Sequence, residues 1–199
     1  MNEVQHCFHG SLSHIEQFED SLLEDSLQNY GAGIYFSSSG RVALRHCDQL
    51  RKVMKDPGRA LFPTLLEVEL KIANPLVADS YHPFSVEQAT AILLASPNLN
   101  AVLANFGDLD FEDKGVLIER AASGYAAMKG PLLETLKNLG TDFFSGSAPA
   151  LLKALRDILG FDGVLAVRAD DTCWVAWFPE QISIKKRLHL TLDEIHEAC

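Results

Sequence analysis

Tyr30-Gly31-Ala32-Gly33-Ile34-Tyr35-Phe36-Ser37 is the stretch whose reading decides the fold. Two glycines one residue apart precede a β-branched and two aromatic residues. Glycine accepts backbone conformations that a Cβ excludes, and Ile, Tyr and Phe favour a pleated surface, so a loop feeding a short buried strand is expected. Downstream, Ser39 is placed to cap a helix from Gly40 to about Met54. Upstream, Val4 to His9 alternates and stops at Gly10-Ser11, which reads as a strand and a turn. Ser13 then stands before an amphipathic run through Phe18 to Leu23, which reads as a helix.

Beyond this, Asp56-Pro57-Gly58 is a strong turn signal, and Leu61 to Ile72 reads as a strand with Leu66, Val68 and Leu70 on one face, ended by Asn74-Pro75. From Ser85 to Leu139 the pattern is helical, with starts at Ser85-x-x-Gln88 and Asp110-x-x-Asp113 and breaks near Pro97, Gly107 and Gly130. Two to four helices are expected there. A further helix runs from Ala148 to Leu159 and stops at Gly160; Val164–Val167 and Cys173–Trp177 then read as a hairpin. Strands at both ends with helices between them give an α+β class, and residues 80–147 read as a helical insertion within a single domain spanning 1–199.

Bulk properties narrow the function. With 199 residues, 47% of them hydrophobic, the chain suffices for one sizeable core. A net charge of −10, from 17 Lys+Arg against 27 Asp+Glu, argues against a nucleic-acid partner, which needs a basic face to release counterions. The densest basic run, Lys185-Lys186-Arg187, reads as a solvated strand end. Met1 to His6 shows neither part of a signal peptide, and no apolar run approaches the roughly 20 residues of a membrane span. Cys7, Cys47, Cys173 and Cys199 form no C-x-x-C pair, which fits free thiols in a reducing compartment; the cytoplasm is the default, and a protein delivered into a host cell would look the same. His6-Cys7-Phe8-His9 and His46-Cys47 lack metal-ligand spacing, so no metal is expected. Glu112, Asp113, Glu119 and Glu134 read as solvated faces of the insertion, with docking of a basic partner as the lesser reading, and Trp174 and Trp177 as packing residues on opposite faces of one strand.

Four separated segments carry the functional signal: Phe8-His9-Gly10-Ser11, Tyr30 to Ser37, Glu67 to Pro75, and Gly160-Phe161-Asp162-Gly163-Val164 running on to Gln181-Ile182. Singly, each is a turn, a glycine-permitted loop or a hairpin. Together they resemble the ADP-ribosyltransferase superfamily, in its His-Tyr-Glu branch of diphtheria toxin and the poly-ADP-ribose polymerases. His9-Gly10-Ser11 looks like the first-strand His-Gly-Ser/Thr, and Gly31 to Phe36 like the Gly-x-Gly-Ile-Tyr-Phe of the polymerases. Leu66 to Leu76, ending in Asn74-Pro75-Leu76, and the Gly160 and Trp174–Ile182 segments resemble small transferase domains of phage polyvalent and toxin proteins.

The resemblance implies a split β-sheet core and NAD as substrate, held bent so that its glycosidic bond breaks through an oxocarbenium-like state. It implies that His9 bonds the adenosine ribose and that the Gly10 backbone pairs with the nicotinamide amide, with Ser11 adding a hydroxyl. Glycine suits that position because a Cβ would obstruct a ligand. Tyr35 would stack on the nicotinamide and Ser37 donate to its carboxamide. The activity implied is transfer of a single ADP-ribose to a protein acceptor, as in a phage or bacterial effector. The family's catalytic glutamate falls eight residues before the Gln of the terminal strand, and counting back from Gln181 lands on Cys173. Asp171, two residues earlier, could share its face, although Asp170-Asp171 reads first as a solvated turn. Three readings of Cys173 stay open: a transferase that relies on its substrate's own carboxylate, an inactive NAD or ADP-ribose binder working through protein contact, or a glutamate replaced in this chain. A Cys173 nucleophile finds no His at a suitable spacing to serve as base.

Overall fold

Leu66, Val68 and Leu70 are each almost wholly buried while Glu67 and Glu69 between them are not, the alternation of a strand with one face in a core. The computed structural model describes residues 4–20, 29–53, 61–106 and 113–198. Its fold is α+β: seven strands in the order β4-β5-β6-β2-β1-β3-β7, with helices. The chain divides into two compact units, residues 1–22, 34–73 and 165–199 in the first, and 23–33 and 74–164 in the second.

The first unit is built on β1 (Gln5–Ser11), β2 (Ile34–Ser37), β3 (Thr64–Leu70), β6 (Thr172–Ala176) and β7 (Ile182–His189), with α1 (Gly40–Val53) and α7 (Leu192–Ala198). β1 lies antiparallel to β3 along its whole length, from Gln5↔Leu70 to Ser11↔Thr64. The helix α1 packs with its Ala43, Leu44 and Cys47 against Leu12, Leu65 and Ile195. Gly10 is what lets it approach: a Cβ there would fall on the Ala43 carbonyl oxygen and come within 2.9 Å of Cys47 Sγ. The glycine expected to make room for a ligand is thus required by a helix, whose backbone cannot yield as a side chain would.

Three readings change here. Leu12, Ile15 and Phe18 are buried at every third position, but the chain through 12–19 is a series of bends rather than a helix, and residues 21–23 lie outside the described residues. A spacing of three buries one side of an irregular segment as readily as one side of a helix. The segment is held by the Ser11 hydroxyl, which bonds both the N–H (3.0 Å) and the carbonyl (2.9 Å) of Ser13, and by Arg187, which donates to the carbonyls of Ile15 and Glu16. Second, Lys185, Lys186 and Arg187 lie within β7 rather than beyond it: Lys185 pairs with Glu69 at 2.6 Å and Lys186 with Glu67 at 3.4 Å, across a register shift at Glu67/Val68. Cations on an edge strand also discourage further strand pairing. Third, Trp177 lies one residue past β6 and is buried, its N–H donating to Gln181 Oε1 at 3.1 Å in the turn ahead of β7.

The second unit holds β4 (Pro75–Val77) and the helices α2 (Val86–Leu94), α3 (Leu99–Phe106), α4 (Lys114–Ala126), α5 (Leu132–Phe143) and α6 (Ala148–Leu159); β5 (Gly163–Val167) crosses the boundary between units. Ser85 and Gln88 form the expected capping box. Asp113 caps α4 through the Gly115 N–H, while Asp110, Gly107 and the Asp56-Pro57-Gly58 turn lie outside the described residues. Gly160 ends α6 at φ 79°, in the left-handed region. Asn74 joins this end to β4: its N–H donates to Asp162 Oδ1 (2.7 Å), its side chain to the Gly160 carbonyl (2.9 Å), and its own carbonyl accepts from the Asp162 N–H (3.1 Å). The Asn-Pro-Leu and Gly-Phe-Asp-Gly segments, 86 to 88 residues apart, are therefore two halves of one clasp. No helix among the described residues is long and apolar enough to cross a membrane.

Gly10→Ala should lower unfolding stability by about 1–3 kcal/mol, the usual range for forcing atoms into a packed contact. Urea denaturation measures this, and an alanine variant as stable as the parent would contradict the α1–β1 packing.

Candidate functional site

β1 has seven residue pairs with β3 and a single one with β2, Phe8↔Ser37. Beyond that rung β2 no longer pairs β1, and the imidazole of His9 takes up the open position: its Nδ1 lies 2.8 Å from the Tyr35 carbonyl oxygen. A carbonyl only accepts, so Nδ1 carries the hydrogen. Burial pushes the His9 pKa below 6.5, and the bond to Tyr35 opposes this only in part. The ring is therefore neutral near pH 7, and its Nε2 presents a lone pair. No fully buried side-chain nitrogen or oxygen among the described residues lacks a partner, and Nε2 has none among them, so it is not completely enclosed. Phe18 meets the ring edge-on at 5.3 Å and Phe36 lies 5.5 Å away, fixing its tilt.

On the other side of β2, Ser37 pairs with Cys173 and Tyr35 with Val175. Paired residues and those two apart share a sheet face, so Tyr35, Ser37 and Cys173 form one row, continued onto β1 by Phe8; His9, the next residue, packs on Phe36 and meets this row through the Tyr35 carbonyl. Asp171 joins them. It is 9% exposed rather than part of a solvated turn, and its Oδ1 accepts hydroxyl hydrogen bonds from Ser37 (2.7 Å) and Ser38 (3.0 Å). Ser38 also exchanges backbone and side-chain bonds with Thr172. Only Asp170 and its exposed neighbours keep the solvated character. The second carboxylate oxygen of Asp171 has no partner among the described residues and, by the same reasoning as for Nε2, is not completely enclosed.

The Ser37 hydroxyl has one proton and two acceptors in the chain itself, Asp171 and the Ser39 carbonyl (2.9 Å), so a ligand carboxamide would have to compete for it. Ser38, which no sequence motif singled out, is the second residue that holds Asp171. Burial, reinforced by the Asp171 carboxylate and opposed by Arg168, pushes the Cys173 thiol up to about 12. Cys7 is raised to about 12 as well, by burial and then by Asp171 and Cys173. Both stay protonated at neutral pH, so Cys173 is not a nucleophile and supplies no negative charge. Among the described residues no group of three or more His, Cys, Asp or Glu could hold a metal ion.

No family model and no curated protein matches the chain. Among solved structures it is similar to a chain of the M. tuberculosis MbcT-MbcA toxin-antitoxin complex, at 14% identity and a TM-score of 0.42, covering 99% of this chain and 90% of that one.

Two titrations check this electrostatic picture. The His9 ring, followed by NMR, should titrate with a midpoint below 6.5. Because the folded state depresses this pKa, the unfolded chain takes the proton first on acidification. The associated stability is complete above about pH 6.5 and is lost as the pH falls through the folded-state value; a midpoint at or above the ordinary value would overturn the neutral ring. Cys173 should react with iodoacetamide at pH 8 at least roughly a hundredfold more slowly than free cysteine, given so small a thiolate fraction. Peptide mass spectrometry reads this directly, and reaction at the free-cysteine rate would contradict a buried, protonated thiol.

Proposed function

We propose that the split between β1 and β2 holds NAD as a substrate, and that the chain transfers a single ADP-ribose to a protein acceptor, as an effector or toxin of a phage or bacterium. On this reading residues 1–199 form one ADP-ribosyltransferase-like domain into which 80–147 are inserted. The observation that carries it is the bond from His9 Nδ1 to the Tyr35 carbonyl. It couples the two family motifs and leaves Nε2 as an acceptor, the role that a ribose hydroxyl, a donor, requires.

The remaining roles follow from placement. The Gly10 backbone, on the strand beside the split, pairs with the carboxamide, and Ser11 steadies the segment after it through its bonds to Ser13. Tyr35 provides a flat ring for the nicotinamide. Ser37 and Ser38 fix Asp171 through one oxygen, which leaves the other to orient the ribose hydroxyl and stabilise positive charge at the anomeric carbon. The bond from that carbon to the nicotinamide nitrogen breaks with its electron pair leaving on nicotinamide; the acceptor's lone pair forms the new bond, and its proton passes to solvent or Asp171. Asp171 thus takes over what the glutamate at position 173 would do.

One observation favours a second reading. Cys173 stands beside Ser37 as a neutral thiol, which also suits a protein that binds NAD without turnover and acts through protein contact. Incubation with labelled NAD and a bacterial lysate separates the two. Label should enter a protein band with the parent, disappear with His9→Ala, and fall at least about a hundredfold with Asp171→Asn, as for loss of a group that meets developing charge. Labelling by Cys173→Glu alone would instead establish the non-catalytic reading. Undiminished labelling by Asp171→Asn would remove Asp171 from the chemistry.

A further inference from the structure

The second unit contains a cleft of about 410 Å³ between the loop 81–84, the end of α4 and the start of α5. That volume is within the range of small-molecule sites. Its walls are aromatic: Tyr81, Phe84 and Tyr125, with Tyr81 76% exposed although its ring is among the largest apolar groups of the unit. The walls are also anchored. Tyr125 donates its hydroxyl to Asp142 at 2.5 Å and meets Phe143 edge-on, His82 packs edge-on against Phe161 at 5.3 Å, and the Leu132 N–H ties α5 to the Ser80 carbonyl at 3.2 Å.

Thr135 makes the cleft more than an apolar hollow. It is only 5% exposed, lines the cleft, and its hydroxyl has no hydrogen-bond partner among the described residues. Since no fully buried side-chain oxygen among the described residues is left unpaired, that hydroxyl opens into the cleft. A threonine so buried with an unmet hydroxyl is unusual, because a helical threonine normally bonds the carbonyl a turn back, as Thr141 does with Lys137 at 3.0 Å. At the mouth stands Lys129, exposed and without an ion pair among the described residues. α5 has Pro131 at its start and no side chain capping its amides, so its positive end also faces this region, while Glu134 in its first turn is drawn to Lys137 at 3.3 Å.

We infer that this cleft binds a small planar aromatic acid, its ring between Tyr81, Phe84 and Tyr125, its ring hydroxyl or ring nitrogen on Thr135, and its carboxylate toward Lys129 and the start of α5. A flat ring matches the aromatic walls, the deep hydroxyl selects a polar ring substituent, and the cationic mouth selects an anion over a neutral amide. This site is separate in its residues from the one on β1, β2 and β6 and does not depend on NAD binding.

The test is a titration of the full chain with 4-hydroxybenzoate, followed by amide NMR shifts, with benzoate, 4-hydroxybenzamide and cyclohexanecarboxylate as comparators. Saturable shifts should cluster at residues 81–84 and 125–135 and be tighter for 4-hydroxybenzoate than for its amide and for the saturated acid. Thr135→Val keeps the shape and should weaken 4-hydroxybenzoate about tenfold while leaving benzoate unchanged. Lys129→Gln should erase most of the preference for acid over amide. No saturable shift with any probe, equal binding of cyclohexanecarboxylate and benzoate, or an unchanged affinity for 4-hydroxybenzoate in Thr135→Val with a native spectrum would overturn the inference.

Discussion

β1 is paired on its two sides very unequally, with β3 at every residue and with β2 at Phe8↔Ser37 alone. The long ladder fixes the strand. The single rung aligns β2 and then releases it. Where backbone pairing stops, the Tyr35 carbonyl still needs a donor, and the His9 imidazole supplies it. One side chain therefore closes the sheet electrically without closing it sterically, and its second nitrogen is presented to whatever enters. The close seat of α1 on Gly10 contributes to the same end, since it holds β1 from one side while β2 leaves it on the other.

The electrostatics of the neighbouring row follow from the same register. Ser37 sits between β1 and Cys173, so its hydroxyl reaches Asp171, and with Ser38 it gives a buried carboxylate the two donors that burial requires. Burial, reinforced by that carboxylate, keeps the adjacent thiol protonated. A thiolate at 173 and a carboxylate at 171 would be like charges side by side in a site largely withdrawn from water.

Much of this was legible before any coordinates. Alternation identified β3, the Ser85/Gln88 box fixed the start of α2, and Gly160 the end of α6, because each is a local rule with a local cause. Thr191 and Glu194 carry the same kind of signal for α7: the Glu194 carboxylate accepts from the Thr191 N–H at 2.7 Å, and the Thr191 hydroxyl accepts from the Glu194 N–H at 3.2 Å. What the sequence did not show came from features whose cause is distant. The segment 12–18 has the periodicity of a helix but takes its shape from Ser11 and Arg187. The burial of Asp171 depends on serines 133 and 134 residues away. The need for glycine at position 10 comes from a helix more than thirty residues later, and no pattern within the first strand distinguishes that from an approach reserved for a ligand.

Calorimetric titration of NAD into the intact protein, beside the His9→Ala variant, tests the central claim most directly. Saturable heat with the parent that is lost in a folded His9→Ala variant is the result predicted from the Nε2 lone pair and the split at β1. No heat from the parent, or equal binding by both proteins, would contradict it.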